Sequence, residues 1–275
     1  MKFKIAAFAD EADSWLDGQI SAMRENGVEL LEIRGIDGRN VSDITSEEAR
    51  EIHKRLEEAG LAVWSVGSPF GKVGITEDFE PHLEKFKRGL ELADILGAKH
   101  IRIFSFYVPH GNAERYSDEV MRRLEVFLAA ENGSGITLCH ENEKGIYGDN
   151  AERCAEIHAN FPKLRAVFDP ANFIQCGQDT KAAWERLSPY VEYLHIKDAL
   201  ADGTVVPAGK GLGNIPRILG EYHGEVLTIE PHLSVFSGFD MLERGESAER
   251  KFSYPDSRTA FSAAVNALKE ILEGM

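Results

Sequence analysis

Glu141, Asp169, His195 and Glu230 are the residues of this chain whose types and spacing point to chemistry. Each sits at the end of a short apolar run: "ITLCHEN" (136–142), "LRAVFDP" (164–170), "VEYLHIK" (191–197) and "EVLTIEP" (225–231). The intervals between them are 28, 26 and 35 residues, as expected for one donor per structural repeat. Burying a single unpaired carboxylate costs on the order of several kcal/mol. A strand end that stops on "HENE" (140–143) must therefore meet solvent or a positive partner. Any one Asp or Glu at such a place is ordinarily a solvated loop residue or a helix cap. Four in succession form a donor set of three carboxylates and one imidazole. That hard, oxygen-rich composition favours one divalent ion, Mn²⁺ or Mg²⁺ first, with Co²⁺, Fe²⁺ or Zn²⁺ also compatible.

Residues two apart on a strand share a face. His195 should thus point with Lys197, Glu230 with His232, and Glu141 with Glu143. Four secondary candidates for substrate binding follow. Lys197 can neutralise a substrate oxygen or form a surface ion pair, and Asn172 can bond a hydroxyl or cap a helix. Lys210 lies in the loop "GTVVPAGKGLG" (203–213), expected to close over substrate. Glu32, near the end of the run 30–35, is expected to line the pocket. The loop nearly mimics a phosphate-binding loop, but five residues precede the Gly-Lys pair and Gly211 replaces Ser/Thr, so no nucleotide site is read there. Trp15, Trp64 and Phe70 are candidate pocket walls, although such aromatic residues more often belong to a core.

The elements that must position these side chains recur along the whole chain. Four earlier runs, 3–9, 30–35, 61–67 and 100–106, match the four above in length and in Ile, Val, Leu and Phe content. Such runs suit strands buried on both faces of a parallel sheet. Helical patterns separate them, for example 46–60, 81–97 and 257–274. Ser46 is placed to cap the first, with Glu47 and Glu48 in its first turn and Ile52, Leu56 and Ala59 at helical spacing. Gly27, Gly60 and Gly97 stand where helices should stop. Eight strand–helix units in 275 residues, with no Pro/Ser-rich linker, predict a single-domain (β/α)8 TIM barrel over 1–275. An open doubly wound sheet is the rival. It would normally carry a Gly-rich turn after its first strand, where this chain has "FADEADSW" (8–15).

Composition excludes other classes. The formal charge is −15 and the pI about 5.1, with no Lys/Arg run of five, so nucleic acid is not an expected partner. Three cysteines without a C-x-x-C pair suit a reducing compartment. No apolar run approaches the ~20 residues of a membrane span, and the N-terminus lacks a signal-peptide core. A cytoplasmic protein without membrane contact is expected. The exposed face of 257–274 is compatible with a homo-oligomer, and the weakly periodic segment 234–256 with a lid or subunit contact.

The motifs "HENE", "FDPAN" (168–172), "HIKDA" (195–199), "PAGKGLGNIPRIL" (207–219) and "TIEPH" (228–232) resemble those of the xylose-isomerase-like TIM-barrel superfamily along essentially the whole chain. This superfamily includes ketose 3-epimerases, hydroxypyruvate isomerases, inosose dehydratases and endonuclease IV. The resemblance to its epimerase and isomerase branch implies that Glu141, Asp169, His195 and Glu230 bind one divalent ion, and that Glu141 and Glu230 exchange the substrate proton. Asn172 stands where many ketose epimerases have His, and Lys197 where a substrate-binding Arg is common, which leaves the sugar open. The fourth run, "HIRIFSFYVPHG" (100–111), does not end in the histidine that endonuclease IV uses, which argues against DNA cleavage.

The implied chemistry is enolisation of a small keto-sugar. A cation that chelates the carbonyl and a neighbouring hydroxyl stabilises a cis-enediolate, and carboxylates on either side move the proton. Return of the proton to the next carbon isomerises, and return to the other face epimerises. Loss of a β-group makes a lyase: an inosose or keto-sugar dehydratase, or a C-glycoside-cleaving subunit. A non-catalytic sugar-binding barrel is the third reading, and it does not need both glutamates.

Overall fold

A computed structural model of the chain describes residues 3–234 and 254–275. Eight parallel strands close into one barrel: β1 (Lys4–Ala7), β2 (Leu30–Ile33), β3 (Ala62–Gly67), β4 (His100–Ile103), β5 (Thr137–Glu141), β6 (Arg165–Phe168), β7 (Val191–Ile196) and β8 (Val226–Ile229). Each strand pairs with its neighbours in sequence, and β1 closes on β8 through Lys4↔Val226 to Ala7↔Ile229. The chain is therefore a (β/α)8 TIM barrel, and the open sheet is ruled out. Most strands are shorter than the apolar runs that announce them. Among the described residues no helix is long and apolar enough to cross a membrane.

Helices α1 (Leu16–Glu25), α2 (Ser46–Glu58), α3 (Glu80–Ile95), α4 (Ser117–Glu131), α5 (Ala151–Asn160), α6 (Pro170–Gln175), α7 (Thr180–Leu187), α8 (Ile215–Glu221) and α9 (Ser257–Glu273) lie outside the wall. Their buried faces meet the outward side chains of the strands in one continuous core. Thr45, not Ser46, caps α2. Its hydroxyl accepts the Glu48 N–H at 3.1 Å, and the Glu48 carboxylate accepts the Thr45 N–H at 2.7 Å. With Thr45 at the cap the third helical residue is Glu48, which completes the reciprocal pair; with Ser46 it would be Ala49, which cannot. Gly27, Gly60 and Gly97 have φ of 60°, 75° and 76°, the left-handed turn that stops α1, α2 and α3. The segment 234–256 expected to act as a lid or contact lies, for 235–253, outside the described residues.

Inside the barrel the interior faces divide into two levels. Ala6, Cys139, Val167, Tyr193 and Val226 form an apolar floor, with Leu30 and Trp64 packed against it. Trp64 stacks on His100 at 4.1 Å between centroids. Phe70 is buried edge-on against Phe86, and Trp15 is 64% exposed, so these three aromatics belong to the core and the surface. Two residues beyond Leu30, Cys139, Val167 and Tyr193 the interior changes from apolar to charged, at Glu32, Glu141, Asp169 and His195.

The loop 207–213 is fixed. The buried Asp198 carboxylate accepts N–H bonds from Ala199, Gly209, Gly211 and Gly213 at 2.9, 2.9, 3.0 and 2.7 Å. A Cβ on Gly211 would fall 2.3 Å from the Ala199 carbonyl oxygen, so only glycine fits that wrap. The sequence reading places Lys210 in a loop that closes over substrate. The backbone is spent on Asp198, and Lys210 itself is exposed.

Candidate metal centre and active site

Glu141 is the last residue of β5, Asp169 and Glu230 directly follow β6 and β8, and His195 lies in β7. Alternation turns all four inward, above Cys139, Val167, Thr228 and Tyr193, each two positions earlier. One ligand atom from each of the four lies within 4.8 Å of the others, and all four residues are buried. His195 Nδ1 faces the carboxylates: 2.9 Å to Glu141 Oε1, 3.3 Å to Glu230 Oε2 and 3.9 Å to Asp169 Oδ2. Its Nε2 points the other way, 3.1 Å from Glu32 Oε2.

Three buried cations offset this cost. Lys197 Nζ lies 2.9 Å from both Asp169 Oδ2 and Glu230 Oε2. Arg102 Nη1 lies 3.1 Å from Glu141 Oε2. Arg34 reaches Glu230 Oε1 at 3.2 Å, Asp10 at 2.8 Å and Glu11 at 3.1 Å, its guanidinium 4.3 Å from the centre of the Phe8 ring. Burial pushes the Glu141 carboxyl up, but His195 and Arg102 outweigh it and leave it below the usual range. Burial is likewise overcome at Glu230 by Lys197 and His232, which hold it well below that range. Asp169 goes the other way. Its desolvation exceeds what Lys197 returns, and Glu230 and Glu141 add to it, so it rises to about 7. Desolvation works against the imidazolium of His195, yet Glu141 and Glu32 raise it well above an ordinary histidine.

This is a pocket with more negative charge than its residents neutralise comfortably. Glu141 Oε2 and Asp169 Oδ2 are buried without an aligned hydrogen bond, although each faces a cation. The oxygen-rich set with one imidazole nitrogen fits a divalent ion. Glu141, Asp169, His195 through Nδ1, and Glu230 would hold it.

The remaining sequence candidates fall in different places. Asn172 is buried at the cleft wall, and its amide donates to Glu141 Oε1 at 3.2 Å and to the Asn142 carbonyl at 2.9 Å. Its own N–H donates to Asp169 Oδ1 at 2.9 Å, which makes Asp169 the cap of α6. Lys197 lines the cleft as a partner of two carboxylates and not as a surface pair. Glu32 does not line it; with 0% exposure it lies beneath His195. The cleft is walled by Lys72, Arg102, Glu143, Lys144, Asn172, Gln175, Lys197, Glu230 and His232. Of these, Lys72 reaches Glu143 at 3.0 Å across the rim. Glu11 accepts the His232 N–H at 2.6 Å, and His232 Nε2 lies 3.4 Å from Glu230 Oε1. Arg34, Arg102, Lys72 and Glu11 carry no role in the sequence reading. The signal for the two arginines was present: each is a charge inside an apolar strand run, at the same end as the acids.

A family model for the xylose isomerase-like TIM barrel matches residues 20–230. No curated protein sequence matches the chain significantly. Several solved structures share the fold. The probable 3-DHS dehydratase AsbF of Bacillus anthracis is 16% identical, with TM-score 0.69 over 98% of this chain and 99% of its own. A xylose isomerase-like TIM barrel protein of Mycobacterium smegmatis in complex with magnesium is 15% identical, with TM-score 0.71 over 100% and 97%. An L-ribulose 3-epimerase is 16% identical, with TM-score 0.69 over 100% and 95%. With a model covering most of its length and a barrel that presents its acids at one mouth, the chain belongs to the xylose isomerase-like TIM-barrel family.

Proposed function

We propose that this protein is a divalent-metal-dependent isomerase or epimerase of a small keto-sugar. The observation that carries the reading is the convergence of Glu141, Asp169, His195 and Glu230 within 4.8 Å at the C-terminal mouth of the barrel. An ion held there, Mn²⁺ or Mg²⁺ first, supplies Lewis-acid polarisation of a substrate carbonyl. Glu141 and Glu230 come from β5 and β8 and flank the cleft from two sides. One removes the proton beside the carbonyl, and the other returns it. Lys197 and Arg102 steady negative charge as it develops on oxygen. Asn172 holds Glu141 in place from the cleft wall.

A lyase acting on the same kind of substrate is the second reading. It is favoured by the similarity in fold to a probable 3-DHS dehydratase and by the four cations of the cleft wall, Lys72, Arg102, Lys144 and Lys197. NMR of a ketose panel in D₂O with Mn²⁺ separates the two. Solvent deuterium entering beside the carbonyl supports the isomerase. Loss of water with a gain of ultraviolet absorbance supports the lyase. No exchange or turnover with any sugar, together with unchanged sugar binding in Glu230→Gln, sinks both. Purified protein should carry close to one divalent ion per chain by elemental analysis; a metal-free protein with an intact fold contradicts the centre.

A further inference from the structure

Glu32 is a buried carboxylate that the proposed reaction does not use. It comes from β2, and its partners come from β7, which is not adjacent in the barrel wall. The β2–β3 pairing shifts register between Leu31 and Glu32, so that Leu31 pairs with Val63 but Glu32 with Ser65. Such a bulge re-aims a side chain. Here the side chain crosses the barrel interior. Glu32 Oε1 accepts the Tyr193 hydroxyl at 2.8 Å, and that hydroxyl also lies 3.2 Å from Ser65 Oγ. Glu32 Oε2 faces His195 Nε2 at 3.1 Å. Tyr193 and His195 are two residues apart on one strand face, so a single carboxylate is held between both. With Oε1 occupied, Oε2 is left for the imidazole alone. The ring is further set by the edge of Phe8, 5.3 Å between centroids.

We infer that Glu32 is a positioning residue. When the ion is bound, accepting the Nε2–H of His195 fixes one tautomer and leaves the Nδ1 lone pair to the ion held among Glu141, Asp169 and Glu230. This rests on the divalent-ion reading of that cluster. A neutral glutamine of the same shape has only one acceptor oxygen. If that oxygen serves Tyr193, its NH₂ faces Nε2, and the proton moves to Nδ1, where it blocks the ion.

The test is calorimetric titration of Mn²⁺ into ion-free native protein, Glu32→Gln and Tyr193→Phe, with circular dichroism to check folding. Glu32→Gln should bind about 10- to 100-fold more weakly, and Tyr193→Phe within about threefold of native, because Oε2 keeps its histidine. Equal affinity in Glu32→Gln and native protein overturns the role while leaving the metal centre standing. A native protein that takes up no Mn²⁺ overturns the metal reading and this role with it. If Glu32→Gln fails to fold, long-range ¹H–¹⁵N spectra of the Zn²⁺-loaded native protein decide. The role requires the His195 proton on Nε2; an ion-bound Nε2 contradicts it.

Discussion

The floor and the mouth of the barrel are built by the same strands, one pleat apart. Cys139, Val167 and Tyr193 close the floor, and two residues later Glu141, Asp169 and His195 form the mouth. That step is roughly 7 Å along a strand. Below it, side chains gain from leaving water. Above it, they lose unless each charge has a partner. Lys197, Arg34 and Arg102 supply those partners, so the mouth is a network whose members depend on one another. The floor should govern stability alone, whereas the mouth should govern ion binding and, through its buried charges, part of the stability as well.

Substitutions at matched positions can break that division. The largest effect is expected for Asp169→Asn. Asparagine still caps α6, so the fold should persist, while Mn²⁺ affinity falls by more than the ~100-fold that loss of a supporting partner costs. Retained affinity by titration would remove Asp169 from the centre. Lys197→Met comes next. It leaves Asp169 and Glu230 buried without their ammonium, and breaking one side of a buried pair costs about 3–5 kcal/mol. The ion-free variant should therefore unfold at lower urea, and excess Mn²⁺ should restore it. Ion binding should become tighter, because no ammonium competes for the same oxygens. One pleat below the acid, Val167→Ala should cost about 2 kcal/mol in urea unfolding and leave Mn²⁺ affinity within about twofold. A large change in affinity would show that the two levels are coupled.

The smallest effect concerns the outer wall. His158 is buried on α5, its Nδ1 bonded to the Leu164 carbonyl, and its ring stacks on Tyr190. Burial lowers it to about 4. Folding keeps it neutral while the unfolded chain takes up a proton below about 6.5. Its contribution is thus complete above that pH and declines as pH falls toward about 4. Between pH 7 and 5.5 the native protein should lose about 1 kcal/mol through this group. His158→Gln should show a shallower acid slope in the same urea series; an unchanged slope would mean that His158 is not responsible.

The strands were legible because a parallel strand buried on both faces must be a continuous apolar run, and eight such runs at even spacing admit few arrangements. The four donors were legible for a related reason: each interrupts a run at its end, once per repeat. What escaped depends on closure. Nothing in "LLEIRG" (30–35) says that Glu32 meets Tyr193 and His195, because that contact exists only after β2 and β7 face each other across the interior and a bulge has turned the side chain. The anchoring of the Lys210 loop escaped because the sequence shows a Gly-rich segment and not the carboxylate that gathers it. Ser46 was misread by one position, since the reciprocal bond to Glu48 decides which of two adjacent hydroxyls caps.

Asp198 has a consequence of its own. Segments rich in glycine and lysine are often landing places for phosphoryl groups, whose oxygens take up a ring of amide protons. In this chain the ring is already filled from within: a carboxylate 11 to 15 residues earlier in the same connection plays the guest. The segment is therefore saturated before any visitor arrives. Its amides are committed to Asp198 and offer no anion site of their own.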